Sequence, residues 1–138
     1  MTKEEELSKY MAQLEQYKEQ INTLEMQSSY IQSAILDYNK AKITLENLNN
    51  ADKDNNVLIP IGGSTFINAK AADTSKVLFD IGSSIVTEKN YEDAMKKIDE
   101  RMEDLQKTQE NILSMIQKLQ NESEEISTKA QKLYQNQK

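Results

Sequence analysis

Two stretches of this chain, roughly residues 3–49 and 88–138, contain neither glycine nor proline and repeat apolar residues every seven positions. Few structures tolerate that pattern. An α-helix turns every 3.6 residues, so a strict heptad keeps one stripe against a partner helix only if the two wind into a left-handed coiled coil. In the first stretch the d positions are Tyr10, Tyr17, Leu24, Ile31, Tyr38 and Leu45, all aromatic or aliphatic; the a positions are Leu7, Leu14, Ile21, Ser28, Ile35, Lys42 and Asn49. The a row turns polar late, while Ala34, Ala41 and Leu48 supply an alternative edge beside d, so the seam is expected to rotate toward the middle of the chain. In the second stretch d is Tyr91, Ile98, Leu105, Ile112, Leu119, Ile126 and Leu133, and a is Met95, Met102, Gln109, Ile116, Ser123, Ala130 and Gln137.

In an antiparallel pair, a of one helix faces d of the other, and facing residue numbers add to a constant. A constant of about 140 sets Leu45 against Met95, Tyr38 against Met102 and Leu24 against Ile116, with registers one heptad away left open. It also sets Tyr17 against Ser123 and Tyr10 against Ala130, large against small. The connection is short and the helices match in length, which favours a chain folded back on itself. Thr2 with Glu5 has the spacing of a capping box, and Asn90 before Glu92 and Asp93 reads as a second helix start.

Between the helical stretches lies a segment with all three glycines and the one proline. Val57–Ile61 runs into Gly62-Gly63 and out through Ser64–Ala71; Lys76–Ile81 runs into Gly82-Ser83 and out through Ser84–Glu88. Each is a strand–turn–strand plan, with Asp73-Thr74-Ser75 as turn chemistry between them. Pro60 lacks an N–H, so its strand is expected at an edge or bulged. Four short strands cannot cover both their faces, so the apolar residues Val57, Ile59, Ile61, Phe66, Val77, Phe79, Ile81, Ile85 and Val86 are expected to build an oligomer. The fold class is therefore mainly α: a long antiparallel two-helix coiled coil with a central insert of two β-hairpins, forming one domain over 1–138, with helices at 1–50 and 90–136 and the insert at 57–88.

Composition narrows function further. Only 37% of residues are hydrophobic and 29% are charged, with a net charge of −6. An acidic chain without basic clusters suits neither nucleic acid nor anionic lipid, and no stretch is apolar enough for a membrane span. With no His and no Cys, the commonest general base, the commonest soft nucleophile and zinc–thiolate chemistry are missing. Gly62-Gly63-Ser64 lacks the frame of a phosphate loop. No enzyme activity, catalytic residue, cofactor or metal is expected. The N-terminus lacks the layout of a signal peptide, and the chain is expected in a cytoplasm, an archaeal one being suited to its lack of Cys.

The insert carries a resemblance. Val57-Leu58-Ile59-Pro60-Ile61-Gly62-Gly63, then Phe66-Ile67-Asn68-Ala69, Lys76-Val77-Leu78-Phe79-Asp80-Ile81-Gly82 and Val86-Thr87-Glu88-Lys89 together resemble the signature of prefoldin alpha subunits, archaeal type. That family also flanks the insert with two coiled-coil helices, so the likeness spans the chain. Ser64 stands where a third glycine is common, and Ser84 where glycine is frequent. The resemblance implies a hexamer of two alpha and four beta-type subunits with a double β-barrel base. It implies an ATP-independent chaperone that holds non-native polypeptides at its coiled-coil tips and passes them to a group II chaperonin. The tips here are the chain termini, and the contact residues expected there are Leu7, Tyr10, Met11, Leu14, Ile126, Leu133 and Tyr134. Met and Tyr adapt to varied partners. Met26, Tyr30, Leu36, Ile43, Leu113 and Met115 lie off the stripe, where they either brace neighbouring arms or widen the helix pair near the base, or are singly exposed surface residues. The rival reading is a passive coiled-coil spacer or assembly adaptor.

Overall fold

The computed structural model of the chain describes residues 2–50 and 56–136. In order it contains α1 (Lys3–Asn50), β1 (Asn56–Gly62), β2 (Thr65–Lys70), β3 (Lys76–Asp80), β4 (Val86–Asn90) and α2 (Tyr91–Gln135). The fold class is the expected one: two long helices with two antiparallel hairpins between them. The a position Gln137 and the outer limits of the 1–138 span lie outside the described residues. By its contacts the chain divides into two compact units, one of Met1–Ala34 with Leu105–Lys138 and the other of Ile35–Asp104.

In the first unit the helices run antiparallel, as three cross-helix bonds show. Lys3 Nζ donates to the Asn136 carbonyl at 3.1 Å, the Tyr17 hydroxyl to Glu122 Oε2 at 3.1 Å, and Gln109 Nε2 to Ser28 Oγ at 2.8 Å. The numbers in each pair add to within about three of the expected 140. Burial follows the heptad: Leu7, Tyr10, Leu14, Tyr17, Ile21, Leu24, Ser28 and Ile31 are all partly buried, their neighbours except Glu6 and Gln13 are exposed, and Ile112, Ile116 and Ala130 are buried. α1 has no fully buried residue, because a two-helix seam leaves every side chain one open flank. Its start is closed by the expected capping box, the Thr2 N–H donating to Glu5 Oε2 at 3.3 Å and the Glu5 N–H to Thr2 Oγ1 at 3.2 Å.

In the second unit the core is Phe79, Ala94 and Ile98, packed by Tyr38, Leu45, Val77 and Met102. Beside it, the late polar a residue Lys42 forms an ion pair with Asp99 at 2.7 Å. Of the alternative seam edge, Ala34 and Leu48 are partly buried and Ala41 is exposed. β4 passes into α2 without a linker: Asn90 ends the strand, and its Oδ1 accepts the Asp93 N–H at 2.8 Å as an N-cap. The Tyr91 N–H donates to the Ser75 carbonyl at 3.0 Å, closing the base of the second hairpin.

The hairpins are separate two-stranded sheets, each strand an edge. Their turns differ from the expected ones by a residue. In the first, Gly62 pairs with Thr65 and Pro60 with Phe66, so Ile61 is the extra residue of a bulge and the loop is Gly63-Ser64 rather than Gly62-Gly63. Both loop residues have φ 56, the type I′ geometry whose twist matches a hairpin. In the second, Ile81 and Ile85 close around Gly82, Ser83 and Ser84, all at positive φ. The two serines at the family's glycine positions thus take a backbone shape that glycine adopts without strain. Asp73 accepts from the Ser75 N–H at 3.0 Å, the expected turn between hairpins.

Two predictions follow from the seam. Gln109 Oε1 is buried without a hydrogen-bond partner, so replacing the polar pair by Ser28→Ile with Gln109→Leu is expected to raise stability by about 1–2 kcal/mol in chemical denaturation. The pKa of Tyr17 is raised, first by its hydrogen bond to Glu122, and that of Lys42 is raised, first by its bond to Asp99. Both groups hold their protons more tightly folded than unfolded. The stability they contribute is complete below their ordinary values of 10.0 and 10.5 and is lost as pH rises through the raised ones. Thermal melts between about pH 8 and 11.5 should show an alkaline fall that is shallower in Tyr17→Phe and Lys42→Gln.

Candidate functional site

Where α1 begins and α2 ends, the heptad leaves a groove of about 650 Å³ lined by Leu7, Met11, Leu14, Ser127, Ala130, Gln131, Tyr134 and Gln135. Leu7, Leu14 and Ala130 are a residues and form its floor. Met11 and Tyr134 fall at e beside the seam and are 59% and 63% exposed. Ala130 is the reason for the hollow: a methyl group at a core position leaves space that a leucine would fill. Four of the seven expected contact residues, Leu7, Met11, Leu14 and Tyr134, line this groove. The other three, Tyr10, Ile126 and Leu133, are partly buried elsewhere on the seam. Ser127, Gln131 and Gln135 were not singled out from sequence, since polar residues flanking a seam look like ordinary solvated surface.

A second groove of about 620 Å³ lies farther along the same helices, with Leu24, Met115 and Leu119 as its apolar residues and Glu19, Gln20, Thr23, Lys118 and Glu122 around them. Met115, 49% exposed, thereby acquires a setting that sequence did not supply. Met26, Tyr30, Leu36, Ile43 and Leu113 stand exposed. Among the described residues no helix is long and apolar enough to cross a membrane.

The hairpins present the other apolar surface. Leu58, Ile59, Ile61, Phe66, Ile67, Leu78, Ile81, Ile85 and Val86 are all exposed. Register sorts them, because residues opposite one another in an antiparallel pair share a face. On the first hairpin Val57, Ile59, Ile67 and Ala69 form one face; Leu58, Pro60, Phe66 and Asn68 form the other. Both faces are apolar. Sequence reasoning grouped Phe66 with Val57 and Ile59 and passed over Leu58 and Ile67, because the bulge at Ile61 that sets the return strand's register is not readable from spacing. On the second hairpin Val77 and Phe79 share a face with Thr87 and Lys89, and Leu78 lies with Val86 behind it via Glu88 and Asp80. Val77 and Phe79 were expected to meet a partner; the structure packs them inside the chain, with Phe79 8% exposed against Ala94 and Ile98. The physical reason is the linker-free β4–α2 junction, which lays that face on the helices.

Sequence and fold comparisons agree with this anatomy. The description "Prefoldin subunit" matches residues 17–136. The chain belongs to the prefoldin family. It is 31% identical over 122 residues to "Prefoldin subunit alpha" of Methanococcus aeolicus, covering 88% of this chain and 83% of that one. It is 30% identical to the protein of the same description from Methanococcoides burtonii, with 80% of each chain covered. Among solved structures, "Cryo-EM structure of filamentous PFD from Methanocaldococcus jannaschii" superimposes with a TM-score of 0.62 at 24% identity, over 90% of this chain and 97% of that one. The relatives agree with the alpha-type signature of the insert, and the chain is a subunit of chaperone type. Prefoldins are chaperones, not known enzymes.

The division of the hairpins is testable in the isolated subunit. Phe79→Ala should destabilise it by about 3 kcal/mol in urea, as loss of a buried aromatic does. Phe66→Ala should leave it within about 0.5 kcal/mol of the parent, as an exposed substitution does, and lower its binding of a hydrophobic dye.

Proposed function

We propose that this prefoldin subunit is part of an ATP-independent holdase that captures non-native polypeptides in the groove between its helix ends. The observation that carries this reading is the exposure of Met11 and Tyr134 over Leu7, Leu14 and Ala130. A folded partner would meet a fixed surface, whereas an unfolded chain offers apolar side chains in many arrangements. A flexible thioether and an aromatic ring beside a shallow apolar floor suit such varied occupants. One groove binds weakly, since each apolar side chain it covers contributes only about 1.5–3 kcal/mol. Several grooves on one assembly bind tightly through effective concentration.

Assembly is the second half of the proposal. Two-stranded sheets with apolar faces and free edges are aggregation-prone alone, and the family's beta-type subunits, four to two alpha, are the partners that cover them. In this reading 57–88 is the assembly insert and 1–50 and 90–136 are the arms of a single functional domain. The holder works in the cytoplasm and hands its cargo to a group II chaperonin.

The test uses the chain mixed with a cognate beta-type subunit. The complex should size as a hexamer and keep a denatured client soluble without nucleotide. Met11→Ser with Tyr134→Ser should leave that size unchanged and reduce the protection at least about tenfold, as expected when two contacts per groove are lost from several grooves together. A spacer or adaptor would assemble and show no protection. Protection unaffected by the double substitution would place the client elsewhere, and the chain sized alone shows whether it forms filaments as the Methanocaldococcus jannaschii relative does.

A further inference from the structure

Arg101 is the only arginine in the chain; every other basic residue is lysine. It lies on α2 in the second unit, and its guanidinium engages two other elements at once. One nitrogen, Nη1, donates to the Tyr38 hydroxyl of α1 at 3.1 Å. The other, Nη2, points to the Asp80 carbonyl at the end of β3, at 3.4 Å. The same group lies over the Phe79 ring at 4.7 Å from its centre and by the Tyr38 ring at 5.9 Å. Asp80 continues the chain of contacts, its Oδ1 accepting the Gly82 N–H at 2.8 Å where the hairpin turn begins. On either side of that turn, Ile81 and Ile85 are paired and exposed.

We propose that Arg101 is a positioning residue that clamps the β3–β4 hairpin to the helices and so presents its apolar tip, Ile81 and Ile85, to a partner subunit. The inference rests on the assembly reading above. Its chemistry is specific to arginine. A planar guanidinium donates along two directions in one plane while its face covers an aromatic ring, whereas an ammonium is a compact, strongly hydrated point charge that cannot do both. The hairpin needs such a clamp because its two strands alone are marginal. One of its faces is held by Val77 and Phe79, and the Arg101 bond to the Asp80 carbonyl adds a tie from α2 at the turn end.

Amide exchange in the isolated subunit tests the clamp without any partner. In Arg101→Ala and in Arg101→Lys, the amides of β3 and β4 should exchange about tenfold faster or more, reflecting the lost cation–ring and forked contacts. Amides of the helices in the first unit should be unchanged. Arg101→Lys exchanging like the parent would overturn the proposal, and so would acceleration spread evenly over the whole chain. Titration with the beta-type subunit tests the consequence: both variants should bind about tenfold more weakly, with unchanged helix content. A variant with a loosened hairpin and parental affinity overturns the presentation role. If the parent itself fails to bind a beta-type subunit, the assembly reading and the presentation role fall together, while exchange still decides whether Arg101 clamps the hairpin.

Discussion

A seam shared by only two helices can never close completely over its side chains. In α1 none of the seam residues is fully buried, and in α2 the buried ones among the described residues are Ala94, Ile98, Ile112, Ile116 and Ala130. Helices of this length have little stability from propensity alone compared with what an apolar stripe contributes once covered. The stripe must therefore be continuous, and seven-residue spacing is the way to make it so. The same openness that weakens each contact leaves grooves between the helices wherever a small core residue such as Ala130 occurs. The stable seam and its open grooves come from one geometry.

The insert answers to a different limit. A hairpin has two faces, and among the described residues the core covers one face of the second hairpin. Val77 and Phe79 are laid on Ala94 and Ile98 because β4 becomes α2 at Asn90 without a loop. The first hairpin has no such junction, and apolar residues stand exposed on both of its sides. This chain thus carries one hairpin packed on its own helices and one whose apolar residues stand exposed on both faces. The polar interruptions of the seam, Ser28 with Gln109 and Lys42 with Asp99, sit where hydrogen bonds or charge reward one alignment of the helices over its neighbours.

Much of this was legible in the order of residues. Heptads report helices because a stripe must recur with the helix turn, and Thr2-to-Glu5 and Asn90-to-Asp93 report helix starts because side-chain oxygens reach orphan N–H groups only at those spacings. The antiparallel pairing of α1 with α2 was readable too, but a register one heptad away suited the same pattern, and the bonds from Lys3 to Asn136, Tyr17 to Glu122 and Gln109 to Ser28 select the alignment near 140. At the helix ends, Leu7, Met11, Leu14 and Tyr134 line one groove, while Tyr10, Ile126 and Leu133 are partly buried outside its lining. Arg101 was overlooked, even though a lone arginine among lysines is a visible signal.

Periodicity, punctuation and caps are local properties, repeated within a few residues, and the amino-acid order alone settled them: two heptad helices, two hairpins and their order. Which face of each strand is covered was decided only in three dimensions. The bulge at Ile61 shifts β2 against β1 by one residue, and a one-residue shift exchanges the two faces. The burial of Phe79, the hollow over Ala130 and the guanidinium between Tyr38 and Phe79 likewise depend on residues far apart in the chain, whose distances no spacing rule encodes.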